Sequence, residues 1–190
     1  MGKVLVGCEE SQVVTEAFIK LGHDAISCDL YFPGRKNLPH LQWDVRDAIS
    51  LGVWDLIILH PPCTYTALSG NRWYYNSPLR IEGANFCREV WELAKEECEH
   101  VALEQPKTIM QKYIGKRSQT IHPYQFGHGE TKETWLWMYN LPNLIPTNEV
   151  DGRENRIWKM SPSKTRQRDR SETYSGIAEA FALQWGKVIK

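Results

Sequence analysis

The chain has 190 residues, of which 42% are hydrophobic and 24% charged, and its formal net charge is zero. This length and balance predict one globular domain, residues 1–190, with a sizeable core and no membrane-spanning segment. A neutral total argues against a protein that holds a long stretch of duplex through charge alone. Five cysteines without a CxxC pair, and a first strand that starts without a secretory signal, favour reduced thiols in the cytoplasm.

The first sixty residues alternate between apolar strands and amphipathic helices. The first helix has an apolar face, formed by Val13, Val14, Ala17, Phe18 and Leu21. Strand, helix and strand in this order predict a right-handed βαβ unit. We expect strands at 3–7, 24–29, 41–44 and 56–59, and helices at 12–21 and 45–51.

The rest of the chain continues this pattern and then changes. A polar and aromatic stretch, residues 66–82, is expected to form a mobile loop over the site. Residues 148–172 are highly charged and predict a charged loop or insert. The whole pattern predicts an α/β fold, a single doubly wound Rossmann-like domain with a mostly parallel sheet and helices on both faces. The other expected elements are helices at 81–98 and 174–185 and strands at 101–103, 120–126 and 134–138, the last two joined by a Gly-rich turn.

The most informative feature is a cysteine that follows a buried strand. Leu56–Leu59 is a continuous apolar run, and Pro61, Pro62 and Cys63 come soon after it. In open α/β sheets, chemistry takes place just outside the carboxyl ends of the strands. A thiol on a stiff Pro-Pro turn at that place predicts a nucleophile, whereas the alternative is a small buried hydrophobe.

A carboxylate occupies the corresponding position after the next buried strand. Cys63 and Glu104 both follow apolar strands at the same edge of the predicted sheet, so we expect them to converge. A thiolate beside a carboxyl whose pKa is raised by burial predicts a nucleophile and acid pair. The alternative role for Glu104 is a structural ion pair.

Two further acids follow strands on the other side of the predicted sheet. The loop from Gly7 to Ser11 and the acid Asp29 predict a site for an adenosine-containing ligand, because an acid there accepts hydrogen bonds from ribose hydroxyls. The loop lacks GxGxxG, which argues against a dinucleotide. The acid Asp44 could contact an exocyclic amine, and its apolar neighbour Val45 could face a purine ring. A turn cap at Asp29 and a helix N-cap at Asp44 are the alternatives.

Taken together, these motifs resemble those of the DNA cytosine carbon-5 methyltransferases, and in particular the short phage-type members. Pro62-Cys63 is similar to the Pro-Cys nucleophile motif of that family, and Leu103–Pro106 is similar to its Glu-Asn motif. Ser175, which opens the last helix, lies in a stretch that loosely resembles the final cofactor motif. The resemblance extends from about residue 3 to residue 186.

The resemblance implies a Rossmann-like methyltransferase domain in a bacterial or phage-infected cell. It implies S-adenosylmethionine as cofactor, S-adenosylhomocysteine as product, and cytosine in DNA or in a nucleotide as substrate. Cys63 would attack carbon 6 of the base, and Glu104 would hold ring nitrogen 3. The implied cofactor contacts are Gly7, Cys8, Glu9, Glu10, Asp29, Asp44, Val45, Pro61 and Ser175. The candidate substrate contacts are Thr64, Tyr65, Arg72, Lys132, Arg166 and Arg168.

The sequence also departs from this family. Gln105 stands where the family has Asn, and Cys8 stands in a loop that usually carries a second glycine. Lys132 lies near the place of a base-contacting arginine, and residues 148–172 replace a whole target-recognition domain. These departures leave open a smaller cytosine substrate, or an inactive relative that binds nucleic acid or a partner. The histidines lack HxxxH spacing, so no metal site is predicted.

Overall fold

The computed structural model describes residues 1–32, 37–156, 160–161 and 170–189. Within them, seven strands form one sheet in the order β3-β2-β1-β4-β5-β7-β6. Strands β1 to β5 run parallel, and β7 is antiparallel to both β5 and β6. The strands are β1 (Lys3–Gly7), β2 (Asp24–Cys28), β3 (His40–Leu41), β4 (Leu56–Leu59), β5 (Val101–Pro106), β6 (Gln119–Ile121) and β7 (Thr134–Tyr139).

Helices cover both faces of this sheet. The helices are α1 (Val13–Lys20), α2 (Val45–Ser50), α3 (Asn71–Tyr74), α4 (Pro78–Glu97), α5 (Gln111–Ile114) and α6 (Ser175–Trp185). Two 3-10 turns, Leu68–Gly70 and Pro123–Gln125, lie between them. No helix in the described ranges is both long enough and apolar enough to cross a bilayer.

Side chains that alternate along each strand divide the core into two halves. On one face, Val4 and Val6 pack with α1 and α6, where the rings of Phe181 and Trp185 stack at 4.3 Å between centroids. On the other face, Leu5 packs with the apolar sides of α2 and α4. Strands buried on both faces are continuous apolar runs, as in β4. The predicted fold class, a mostly parallel sheet with helices on both faces, is confirmed.

The centre of the sheet contains the point where the strand order reverses. From β1 the chain builds outward through β2 and β3, and it then returns to place β4 on the other side of β1. The backbone N–H of His60 donates to the carbonyl of Gly7 at 2.9 Å, which ties the carboxyl ends of β1 and β4 together. Open α/β sheets bind ligands in the crevice beside such a reversal.

Two predicted strands are shorter in the structure than in the sequence analysis. The strand predicted at 41–44 is only His40–Leu41, because Asp44 is already the N-cap of α2 and accepts from the N–H of Arg46 at 2.9 Å. The strand predicted at 120–126 ends at Ile121, because Pro123 begins a 3-10 turn. The expected Gly-rich turn is therefore a longer connection, residues 122–133.

The stretch predicted as a mobile loop, residues 66–82, contains regular structure. It holds the 3-10 turn Leu68–Gly70, the short helix α3 and the start of α4, which begins at Pro78 with proline in its first turn. The buried Arg80 of α4 donates to the side-chain oxygen of Asn71 at 2.6 Å, and so joins α4 to α3.

The first part of the charged segment pairs with the connection before β7. The N–H of Glu154 donates to Gly129 at 2.8 Å, and the N–H of Thr131 donates back to Glu154 at 2.9 Å. The two backbones approach closely at Gly152, where an added Cβ would lie 2.7 Å from the Cα of Gly129. Residues 157–159 and 162–169 lie outside the described residues, and they include the predicted phosphate contacts Arg166 and Arg168.

Gly7→Ala tests the close packing at the end of β1. An added Cβ would lie 2.5 Å from Cγ2 of Val45 and 2.9 Å from Cδ2 of Leu59, so we expect a loss of about 1–3 kcal/mol in the free energy of unfolding. Urea denaturation measures it. Gly83→Ala is the matched control, because its Cβ would meet neighbours at an ordinary 3.6 Å inside α4. Equal stability of Gly7→Ala and the parent would contradict this account.

Candidate active site

The loop after β4 holds Cys63 in place through its backbone. The carbonyl of Cys63 accepts from the N–H groups of Thr66 at 3.2 Å and Ala67 at 2.9 Å, which close a turn behind the thiol. Pro61 is buried, whereas Cys63 remains partly exposed. The thiol therefore sits on a fixed turn at the edge of the central crevice, which is the placement that the sequence predicted for a nucleophile.

Gln105 fixes the same loop from the neighbouring strand. Its side chain is 1% exposed; Nε2 donates to the carbonyl of Pro61, and Oε1 accepts from the hydroxyl of Thr66 at 3.4 Å. The residue that departs from the family motif is thus the bridge between β5 and the Pro-Cys turn. The sequence analysis missed this role, because no periodicity marks a side chain that bonds to a backbone 44 residues away.

The structure brings Cys63 and Glu104 together, as predicted. Leu59 pairs with Leu103, so the parallel strands β4 and β5 end side by side. Burial raises the pKa of Cys63, the charge of Glu104 raises it further, and the charges of Lys132 and Arg170 lower it in part. Four groups from four segments therefore share one site, and the resting thiol is protonated at neutral pH.

The environment of Glu104 differs from the expectation of a raised pKa. Its Oε2 lies 3.3 Å from Nδ1 of His60, and the two side chains are 14% and 11% exposed. Burial raises the pKa of Glu104, but the hydrogen bond and charge of His60, together with the charge of Lys132, outweigh it and hold the pKa below the ordinary value. The expected raised pKa is wrong because His60 faces the carboxylate, a contact between residues 44 positions apart that no sequence pattern marks.

On the other side of the crevice, Gly7 and Val45 form a tight, apolar contact. Cys8 follows Gly7 with a left-handed backbone, φ 59°, a conformation that is uncommon for residues other than glycine. Burial raises the pKa of Cys8, and the charges of Asp29 and Asp44 raise it further, so both predicted acids lie close to this turn. Gly7, Cys8, Asp29, Asp44 and Val45 therefore share one end of the sheet.

The acids of this region already have intramolecular partners. Oδ1 of Asp29 accepts from the N–H of Tyr31 at 3.0 Å, and Asp44 both caps α2 and pairs with Arg46. Glu9 is buried, and its carboxylate accepts from the N–H groups of Val14 at 2.6 Å and Thr15 at 3.2 Å. Glu9 thus stabilises the beginning of α1 and the shape of the loop, a role that needs no ligand.

The remaining predicted residues surround the same edge. Tyr65 packs edge-on against Tyr74 at 5.0 Å, so α3 rests on the turn that follows Cys63. Arg72 is exposed and lies 5.3 Å above the ring of Trp73. Thr64 and Glu10 are partly exposed on their loops. Ser175 begins α6 with its hydroxyl 3.4 Å from Nε2 of His128.

A polar network that the sequence analysis missed supports Lys132. The hydroxyl of Tyr174 donates to Oε2 of Glu130 at 2.7 Å, and Arg156 pairs with Oε1 of Glu130 at 2.9 Å. Lys132 lies 5.6 Å from the ring centroid of Tyr174. The network joins the connection before β7, the charged segment and the start of α6. Within the described residues, no group of three or more His, Cys, Asp and Glu side chains is arranged to hold a metal ion.

Comparisons with known proteins identify the fold but not a family. No family model matches this sequence, and no curated protein is similar to it. Among solved structures, the chain is similar to a candidate DNA modification methyltransferase encoded within an E. coli prophage, with a TM-score of 0.50 and 13% identity, over 85% of this chain and 56% of that chain. It is also similar to the bifunctional kinase-methyltransferase WbdD, with a TM-score of 0.46 and 11% identity, over 76% and 36%.

The chain thus spans little more than half the length of the prophage protein. At this identity the likeness is one of fold, the α/β Rossmann-like fold of methyltransferases.

The reactivity of Cys63 tests the charges around it. Because Glu104 raises and Lys132 lowers the pKa of this thiol, Glu104→Gln should speed alkylation by iodoacetamide at pH 8, and Lys132→Met should slow it, each by about 2–10-fold. Mass spectrometry of the Cys63 peptide over time measures both rates. The buried Cys98 in the same digest is the internal control. Changes of the same sign in both variants would contradict the assignment.

Proposed function

We propose that this protein is an S-adenosylmethionine-dependent methyltransferase that modifies carbon 5 of cytosine in DNA through a covalent Cys63 adduct. The observation that carries the proposal is the meeting of Cys63 and Glu104 at the ends of adjacent parallel strands in a methyltransferase-like fold. The nucleophile and the acid come from strands β4 and β5, and the cofactor residues come from β1 and β2. The fold similarity to a DNA modification methyltransferase supports DNA as the substrate class.

The residues beside β1 suit an adenosine-containing cofactor. The side of Gly7 on which a Cβ would lie is filled by Val45 and Leu59, so glycine at this position lets α2 pack closely against the end of β1. Asp29 follows the last residue of β2, a place where an acid accepts hydrogen bonds from ribose hydroxyls. Gly7, Asp29, Asp44 and Val45 would hold S-adenosylmethionine, which supplies an electrophilic methyl group when bound. Glu9 would act indirectly, through the shape of the loop.

The reaction begins with the Cys63 thiolate. Its sulfur forms a bond to carbon 6 of the pyrimidine, and the electron pair of the 5,6 double bond moves into the ring toward nitrogen 3. Glu104 holds a proton at that nitrogen, so carbon 5 becomes enamine-like and nucleophilic. After carbon 5 is methylated, a base removes its proton, the carbon–sulfur bond breaks, and the thiolate leaves as the double bond returns.

The two catalytic side chains depend on each other electrostatically. The negative charge of Glu104 raises the pKa of Cys63, so the free protein holds the thiol protonated. As the thiol gives its proton to solvent water and the sulfur bonds to carbon 6, the charge of Glu104 is offset by the proton that it shares with nitrogen 3, and the nearby cations Lys132 and Arg170 favour the thiolate. The thiol is therefore activated only when a cytosine that needs a proton at nitrogen 3 is present, which limits side reactions of the partly exposed thiol.

A free cytosine nucleotide is the second candidate substrate. The net charge of zero favours it, as does the shortness of the segment that stands in place of a recognition domain. DNA would also have to present its base outside the helical stack, whereas a nucleotide would not. A catalytically inactive relative that binds DNA or a partner is the remaining alternative, and the retained pair of Cys63 and Glu104 argues against it.

Methyl transfer from labelled S-adenosylmethionine tests the activity and the substrate together. The substrates are duplex DNA, single-stranded DNA and deoxycytidine nucleotides, with mass spectrometry of the recovered base. We expect 5-methylcytosine from DNA, and a loss of at least ~10³-fold in Cys63→Ser, because a hydroxyl is a far weaker nucleophile than a thiolate. Product from the nucleotide alone would select the second candidate. An active Cys63→Ser variant would rule out the covalent route.

Binding of the cofactor is a separate test. We expect Asp29→Ala to weaken S-adenosylmethionine by about 10–100-fold, since a carboxylate that accepts from a ribose hydroxyl contributes about 1.5–3 kcal/mol. Isothermal titration calorimetry measures the dissociation constant. Asp24→Ala, at the opposite end of β2 and exposed, is the matched control and should bind normally. The cofactor assignment fails if the parent protein shows no binding or if both variants bind alike.

A further inference from the structure

His60 stands at the centre of the site, between two buried acids. Its backbone N–H is held by Gly7, and its ring contacts Glu104 on β5, with Nδ1 at 3.3 Å from Oε2. Burial raises the pKa of Glu9, and the charge of His60 lowers it in part, so that carboxylate lies close to the ring. The ring is only 11% exposed, and Nε2 is buried without a hydrogen-bond partner among the described residues. A side chain in this position has little freedom to move.

Of the two acids, Glu104 is the one available to exchange a proton with His60. The carboxylate of Glu9 already accepts from two backbone N–H groups and from the hydroxyl of Thr15, so it is held as an acceptor within α1. Glu104 has His60 as its hydrogen-bond partner, and Lys132 acts on it through charge. Cys63, on the loop that His60 begins, is the other titratable group of this cluster.

We propose that His60 is a positioning residue that shares one proton with Glu104 and delivers it, through that carboxyl, to the ring nitrogen of the substrate cytosine. The inference rests on the proposed function and adds the source of the proton to it. Before the base binds, the shared proton lies between Nδ1 of His60 and the Glu104 carboxylate, and Cys63 is a thiol. As the thiol gives its proton to solvent water and its sulfur bonds to carbon 6, the shared proton passes through Glu104 to nitrogen 3 of the base. When the carbon–sulfur bond breaks, that proton returns to the His60–Glu104 pair and the thiolate takes up a proton from solvent, so the pair ends as it began.

This arrangement solves a conflict within the site. Glu104 must carry a proton to assist the base, yet His60 and Lys132 hold its pKa below the ordinary value. A proton held by the His60–Glu104 pair is available to nitrogen 3 without requiring Glu104 itself to be protonated in the free protein. The buried Nε2 has no hydrogen-bond partner among the described residues, so Nδ1 is the ring nitrogen through which His60 exchanges a proton.

The pH dependence of methyl transfer distinguishes this role from a structural one. In the parent protein, kcat falls at high pH when the His60–Glu104 pair loses its shared proton, and this fall is the basic limb of the profile. In His60→Gln the proton must be held by Glu104 alone. We expect the basic limb of His60→Gln to move to lower pH by at least about one unit, with unchanged affinity for S-adenosylmethionine. A loss of kcat at every pH without movement of the limb would overturn the inference. His100→Gln, at the amino end of β5, is the matched control and should keep the parent profile.

A second measurement requires no activity. The ring nitrogens of His60 are observed by NMR at one fixed pH in the free parent protein and in Glu104→Gln, and loss of the carboxylate should change the Nδ1 signal, because that nitrogen faces Glu104 and holds the shared proton. An unchanged Nδ1 signal would overturn the shared proton. If the parent methylates DNA but the limb and the Nδ1 signal both stay, the proposed function stands and this inference fails. If the parent transfers no methyl group to DNA or nucleotides, the proposed function fails together with the role toward the base, and the NMR comparison alone decides whether the pair shares a proton.

Discussion

The parallel pairing of β1 with β4 is the constraint on which the rest of the molecule depends. These strands are neighbours in the sheet but are separated in the chain by two strands and two helices. Their carboxyl ends are joined by the bond from the N–H of His60 to Gly7. After β1 and after β4 the chain turns toward opposite faces of the sheet, so a crevice opens at this edge. The proposed cofactor residues line one side of it and the Pro-Cys turn lines the other, so a single backbone register sets the distance between the two halves of the site.

Around that register, three buried polar contacts convert a sheet edge into a rigid site. Glu9 ties the first loop to the beginning of α1, Gln105 ties Pro61 to β5, and His60 contacts Glu104. The contacts of Gln105 and His60 join residues 44 positions apart in the chain, whereas that of Glu9 is local. A buried polar group without its partner costs about 1–3 kcal/mol, so each contact leaves few alternatives.

Charges of both signs act on the Cys63 thiol. Glu104 opposes ionisation of Cys63, whereas Lys132 and Arg170 favour it. Lys132 comes from the connection before β7 and is accompanied by the network of Glu130, Arg156 and Tyr174. Through Arg156, the charged segment is therefore part of the network that accompanies Lys132 beside Cys63.

The sequence by itself determined the α/β class, most of the strands and helices, and the candidate pair Cys63 and Glu104. Those features are local: apolar runs mark buried strands, a 3.6-residue period marks helices, and strands of a parallel sheet end at a common edge. Only the tertiary structure decided what each side chain faces. It showed that His60 contacts Glu104 and reverses the expected shift of its pKa, and that Gln105 and Glu9 serve as internal supports. Hydrogen bonds between residues more than forty positions apart leave no periodic trace, because their partners are set by strand order and register.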